Sequence, residues 1–351
     1  MEFGMLVEAN LQSGSKMITP HQRYKEMLEE AVACDKAGFD VFGASEQHFI
    51  APTCVISAPE TLLAAVAAIT KNIKIRPATI LLPFQHPVHV AERLATLDLI
   101  SDGRVEFGSG KGNSFYTIEG FGLSPDELED RWFESLQIIL KALSGKPFSH
   151  TGKYWSVPER TLAPAPLQQP HPPLWYAAIS PKSHELAGRL GLGLMTLTVG
   201  VDLDKLAERV QIYKKAIQRP EPIGQTVLDK VSCFVQLHCS DTTEQAEEDC
   251  KKPFMDYLQS VVDLYEHKLK ASGTKVDFTE TRKKINWDYL NNSDQIVVGD
   301  PDTVIRKLEH YREAGVDEVF IRAEGIEHDK VMKSIELLGK YVIPHFKKKT
   351  Q

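Results

Sequence analysis

The chain has 351 residues, 42% hydrophobic and 25% charged, which is ordinary for a globular protein and enough apolar material for a large core. Its 41 basic and 48 acidic residues give a formal net charge of −7, and no basic patch interleaved with aromatics occurs, which argues against a nucleic-acid binder. No stretch is apolar and long enough to span a membrane, and the opening MEFGMLVEAN lacks the layout of a signal peptide, so a cytoplasmic protein is expected.

Glu2–Ala9 predicts a short apolar strand. Thr19-Pro20-His21-Gln22 supplies an N-cap, a proline at the first helical position and a capping-box glutamine. The helix it starts runs through Tyr24, Leu28, Ala31 and Val32 and stops near Gly38. Phe39–Ala44 predicts a second strand, which ends in Ser45-Glu46-Gln47-His48-Phe49. Glu60–Lys71 predicts an alanine-rich helix. Ile73–Leu82 is a near-continuous apolar run, the pattern of a strand covered on both faces, and Pro83 ends it. Val90, Leu94, Leu97 and Ile100 put an apolar stripe on a helix over 89–100. Ser101-Asp102-Gly103 is turn chemistry, and Arg104–Phe107 predicts the next strand. Gly108-Ser109-Gly110-Lys111-Gly112-Asn113 then follows, either as an anion-binding turn or as a turn only. Val105 and Gly112 exclude a Walker loop, and Asn113 excludes a dinucleotide fingerprint starting at Gly108.

Ser124-Pro125-Asp126-Glu127 is a second capping box, opening a helix with Leu128, Phe133, Leu136, Ile139, Leu140 and Leu143 inward. His150–Val157 reads as a small extended excursion and Ala163–Pro173 as a proline-rich linker. Pro173–Ile179 predicts a fifth strand with Ser180 and Ser183 beyond its end. Ser183–Leu190 predicts a helix, Gly193–Leu197 a strand, Asp204–Ala216 a helix and Val231–His238 a seventh strand. Thr243–Lys270 predicts a long helix, followed by a polar segment to about Asn292; together residues 240–292 are expected to form an insertion that acts as a lid. Pro301–Ala314 is helical, Val316–Ala323 an eighth strand and His328–Val342 a last helix.

Eight strands, each followed by a helix, predict one α/β domain over 1–351: a (β/α)8 TIM barrel with the insertion after its seventh strand. A doubly wound open sheet is the competing fold. Chemistry in a barrel sits at the carboxyl ends of strands, which singles out Glu46 and His48, Leu82-Pro83, Gly108–Asn113, Ser180 and Ser183, and Glu324. The five scattered cysteines fit reduced thiols, and His86-x-x-His89, with Pro87 between and no third ligand nearby, predicts no metal site.

GFDVFGASEQHF, IRPATILLPFQHPVHVAERLATLDLISDGRVEFGSGKG, the helix carrying Arg131, and PAPLQQPHPPLWYAAISPKS resemble the bacterial luciferase-like family of flavin-dependent monooxygenases. The resemblance runs from Phe3 to the last helix. It implies a barrel that binds reduced FMN (FMNH2) at its carboxyl face and receives it from a separate NAD(P)H:flavin reductase. O2 would then form a C4a-peroxyflavin that oxygenates a small organic substrate. Position by position, it implies phosphate contacts from Lys111, between Gly110 and Gly112, from Arg131, and from Ser180 and Ser183. It also implies a non-proline cis peptide at Ala78-Thr79 behind the flavin ring. The residues alone leave open a surface ion pair for Arg131 and a rim-bracing role for His48. Family members often carry Glu-His-His where this chain has Glu46-Gln47-His48; glutamine hydrogen-bonds but does not shuttle protons near neutral pH. Light emission by the luciferase route is thereby put in question, with His48 left as the acid/base candidate. The resemblance places luciferase's reactive cysteine at the position of Gly110, so it implies no thiol chemistry there. A deazaflavin-dependent oxidoreductase and a non-catalytic flavin-binding partner subunit are the alternatives, and a homodimer through the Glu60–Lys71 helix is expected.

Overall fold

A computed structural model of the chain describes residues 1–271, 282 and 285–348. Eight parallel strands form the frame: β1 (Glu2–Val7), β2 (Val41–Ala44), β3 in two pieces (Lys74–Pro77 and Ile80–Leu81), β4 (Phe107–Gly110), β5 (Leu174–Ala177), β6 (Gly193–Leu197), β7 (Val231–Cys239) and β8 (Glu318–Arg322). Each pairs with its successor, and β8 pairs with β1. A bridge between Ile75 and Val105 and the Ile80–Ser109 register join β3 to β4, so the sheet closes on itself. This is the expected (β/α)8 barrel. An additional strand, Ile296–Gly299, lies along the outer half of β7.

The helices around it are α1 (Pro20–Ala37), α2 (Pro59–Ile69), α3 (Pro87–Ile100), α4 (Leu128–Leu143), α5 (Pro181–Arg189), α6 (Leu203–Ala216), α7 (Thr243–Ala271), α8 (Pro301–Glu313) and α9 (His328–Leu337). Proline opens α1, α2, α3, α5 and α8, where its missing N–H removes no hydrogen bond and its fixed φ suits the helix. Only half of the first capping box forms: Thr19 accepts from the Gln22 amide, but the Gln22 side chain donates to Glu26. The box at Ser124 is complete, yet it seats a 3₁₀ turn over Pro125–Glu127, and α4 begins after it. On α4 the inward face holds Trp132 and Ile138, while Phe133 is exposed; on α3, Ile100 is exposed as well.

Two local readings change. The apolar run 73–82 is two short strands with a cis Ala78-Thr79 peptide between them. Gly108 and Gly110 lie inside β4 instead of forming a tip after it. A Cβ on Gly108 would come 2.2 Å from the Pro77 carbonyl oxygen, and one on Gly110 would come 2.8 Å from Thr79 Oγ1. These glycines therefore let β4 approach the interrupted β3, and the first left-handed residue after them is Gly112 at φ +80°. The 150s excursion is an antiparallel hairpin, Phe148–Thr151 with Ser156–Arg160. Of the expected lid, residues 272–281 and 283–284 lie outside the described residues; α7 precedes them and a short helix, Trp287–Asn292, follows.

Outward strand residues such as Phe3, Met5, Phe42, Ile75 and Phe107 pack under the helices in the main core. Inside the barrel, Leu6, Val41 and Phe320 form a second cluster with Ala78 and Phe234 against it. Below that cluster, towards the amino ends of the strands, a polar plug closes the barrel. Arg76, fully buried, donates to Glu106 through Nε at 2.7 Å and to both oxygens of Glu318 at 2.6 and 2.8 Å, with its face 4.0 Å from the Trp175 ring centroid. Burial by itself would raise the Glu106 carboxyl, but Arg76 and Lys74 hold it down at about 2.

Candidate active site

At the carboxyl end the barrel opens. Ala78, Thr79, Ala177, Leu197 and Phe234 are half-buried, whereas their outward neighbours Tyr176, Thr196 and Val235 are buried. Inward residues of a closed barrel can be reached only through its mouth, so this pattern marks a chamber floored by β3, β5, β6 and β7.

One wall is the end of β2. Glu46 is buried, and its Oε1 lies 2.8 Å from His48 Nε2. Its Oε2 accepts from the Leu81 amide at 2.8 Å and from Gln85 Nε2 at 2.7 Å, while its own amide donates to the Thr79 carbonyl. The carboxylate thus ties β2 to the broken strand and fixes the imidazole. A proton on Nε2 satisfies Glu46 and leaves Nδ1 as acceptor, the arrangement that lets histidine take up or release a proton. Phe121 packs edge-on to His48 at 5.0 Å, and Phe49 and Phe84 pack against Phe121. Phe49 is 65% exposed at φ +64°, so an apolar lip stands beside the histidine. Gln47 is held by its backbone, whose amide donates to Ile56.

A second wall, at the ends of β4 and β5, carries two lysines around one carboxylate. Lys111, at the end of β4, places Nζ 2.6 Å from Glu129 Oε2 at the start of α4, and Lys182 of α5 lies 3.6 Å from Glu129 Oε1. Glu129 is held below the usual carboxylate range, chiefly by the Lys111 hydrogen bond. Ser180 caps α5: its Oγ accepts from the Ser183 amide, and Ser183 Oγ accepts from the amides of Ser180 and Ile179. Two ammonium groups and a capped helix start therefore meet there, a setting that suits a phosphate. Tyr176 Oη is buried with no hydrogen-bond partner among the described residues; burial and then the Glu129 charge push its pKa up.

The structure thus gathers Glu46, His48, Ala78, Thr79 and Gly110 on one side of the chamber. It joins Lys111 to the Ser180–Ser183 side through Glu129 and Lys182. Arg131 pairs with Glu127 through Nε at 3.3 Å and lies over the Tyr154 ring at 4.5 Å. Lys182 escaped the sequence reading. Its signal was a cation in a helix's first turn, where the dipole disfavours positive charge unless an anion is near. Glu324 proves to be a brace, accepting from the amides of Glu8, Ala9 and Asn10 and from Arg23. Among the described residues no group of three or more His, Cys, Asp or Glu could hold a metal; the His86 ring packs edge-on to Trp155.

A family model for luciferase-like monooxygenases matches residues 1–318. The oxygenase component of flavin-dependent trigonelline monooxygenase from Acinetobacter baylyi is 25% identical, over 99% of this chain and 96% of its own. Limonene 1,2-monooxygenase from Rhodococcus erythropolis is 28% identical, over 91% of this chain and 80% of its own. Among solved structures, the oxygenating constituent of 3,6-diketocamphane monooxygenase from Pseudomonas putida, a type II Baeyer–Villiger monooxygenase in complex with FMN, superposes with a TM-score of 0.79 at 25% identity, covering 98% of each chain.

Proposed function

This chain belongs to the luciferase-like monooxygenase family, and we propose that it is the oxygenase half of a two-component system, using reduced FMN and O2 to oxygenate a small organic substrate. The observation that carries the reading is the chamber with two unlike walls: Lys111, Lys182 and the start of α5 on one, Glu46–His48 on the other. The residues fit the cofactor. Lys111 and Lys182 would hold the phosphate, and the Glu129 charge also acts on Tyr176 Oη, which is buried without a partner among the described residues. Gly108 and Gly110 remove side chains where Ala78 and Thr79 form the floor, which suits a flat ring. When bound, reduced flavin supplies the electrons and activates O2. The chain's own residues bind it, exclude water and, at His48 Nδ1, hold or pass a proton.

A separate reductase would supply the reduced flavin, a reading supported by the relative named as an oxygenase component. We place a homodimer contact on the outer face of α2, where Thr61, Ala65 and Ala68 are exposed and allow close helix packing. To test the function, the protein is titrated with reduced FMN under anaerobic conditions and then mixed with air. The expected result is tight binding and a transient absorbance that free reduced FMN does not show. Reoxidation at the rate of the free cofactor would overturn the proposal.

A further inference from the structure

The β7–β8 sector of the mouth holds a cluster that the flavin reading does not use. Gln236 and Arg322 are register partners on these strands, each two residues beyond an inward-facing phenylalanine, Phe234 and Phe320. Both are buried, at 1% and 0% exposure. Arg322 Nε donates to Glu8 Oε2 at 2.8 Å, and the Tyr257 ring of α7 covers the guanidinium face at 3.6 Å. Among the described residues neither terminal nitrogen of Arg322 has a hydrogen-bond partner; Nη2 comes only to 3.6 Å of Glu324. Gln236 Nε2 reaches the Phe254 carbonyl, but its Oε1 has no partner.

Leaving a buried donor unmatched is unfavourable, and more so when the group is charged. Arg76, equally buried at the other end of the same barrel, has both terminal nitrogens bonded to carboxylates. With Glu8 on the Nε edge and Tyr257 on the face, what remains of Arg322 is the outer fork of its guanidinium. That fork presents two N–H groups at the spacing of the two oxygens of a carboxylate. Glu324 does not take this role, since Arg23 and three backbone amides already engage it. Burial, opposed by Arg322 and assisted by the Glu324 charge, pushes the Glu8 carboxyl up. One layer down, half-buried Phe234 faces the chamber.

We propose that Arg322, with Gln236 beside it, is the head-group subsite for a substrate bearing a carboxylate, whose apolar body lies over Phe234 towards Ala78-Thr79. The inference rests on the monooxygenase reading of the chamber and names the substrate class for it. It is tested with benzoate and hexanoate against benzamide and hexanamide, by calorimetric titration of the flavin-free and the FMN-loaded protein. Each carboxylate should bind about tenfold or more tightly than its amide. The Arg322→Gln variant should lose that preference. Because that variant buries Glu8 without its partner, the double variant Glu8→Gln/Arg322→Gln, which removes both charges, is measured beside it and should also lose it. Equal binding of acids and amides, no binding of the acids, or a preference that survives in the double variant would show that Arg322 is a structural ion-pair member only. Failure of FMN to bind, with the carboxylate preference intact in the flavin-free protein, would instead refute the flavin reading and leave the head-group subsite standing.

Discussion

The two ends of the barrel make opposite use of the same residue types. At the amino end, Arg76, Glu106, Glu318 and Ser232 are buried and mutually bonded. At the carboxyl end, Arg322, Gln236 and Tyr176 are equally buried but keep polar atoms without partners, beside small, half-buried inward residues. Paired charges close the barrel and hold it together, with only the Trp175 indole N–H among these plug residues lacking a partner among the described residues; unpaired charged and amide groups are what a ligand-binding mouth requires. The contrast assigns stability to one end and chemistry to the other, and it can be broken experimentally.

The largest effect is expected at the plug. Arg76→Met strands two carboxylates in the interior and should cost about 3–5 kcal/mol in urea denaturation. A loss under about 1 kcal/mol would mean that the plug is not what closes the barrel. Next comes the seam between β3 and β4. Gly108→Ala drives a Cβ towards the Pro77 carbonyl at 2.2 Å and should cost about 1–3 kcal/mol, with weaker flavin binding because the chamber floor shifts. Acid should also weaken the plug. The Glu106 carboxyl lies at about 2 in the folded protein against an ordinary 4.5, so its contribution is complete above about pH 4.5 and is lost as the pH falls towards 2. A melting temperature that stays flat over that window would contradict the pairing. The smallest effect is expected at Arg131→Ala, which removes one i,i+4 pair with Glu127 and should leave the urea midpoint nearly unchanged.

The barrel was legible because alternating strand and helix patterns, prolines at helix starts and glycine stops are local signals. The arc from Glu46 through Lys111 to Ser180 was legible because strand ends and family motifs coincide there. What escaped notice was made by closure. Glu8 and Arg322 meet across 314 residues and Arg76 and Glu318 across 242, and no window of sequence contains such a pair. The glycines of β4 were misplaced for a related reason: they answer to the backbone of β3, a neighbour that only the folded sheet supplies. Phe133 and Ile100 were misjudged because their spacing fits an inward stripe, but Trp132 takes the buried place on α4 and α3 ends with Ile100 at its exposed edge.

The central claim is that the Lys111 wall holds the tail of a flavin mononucleotide. The direct measurement compares FMN with riboflavin, which lacks the phosphate, in the native protein and in Lys111→Ala. The account predicts that the variant loses about tenfold in FMN affinity while its riboflavin affinity and its stability are unchanged. Equal FMN affinity in the two proteins, or a matching loss for riboflavin, would contradict it.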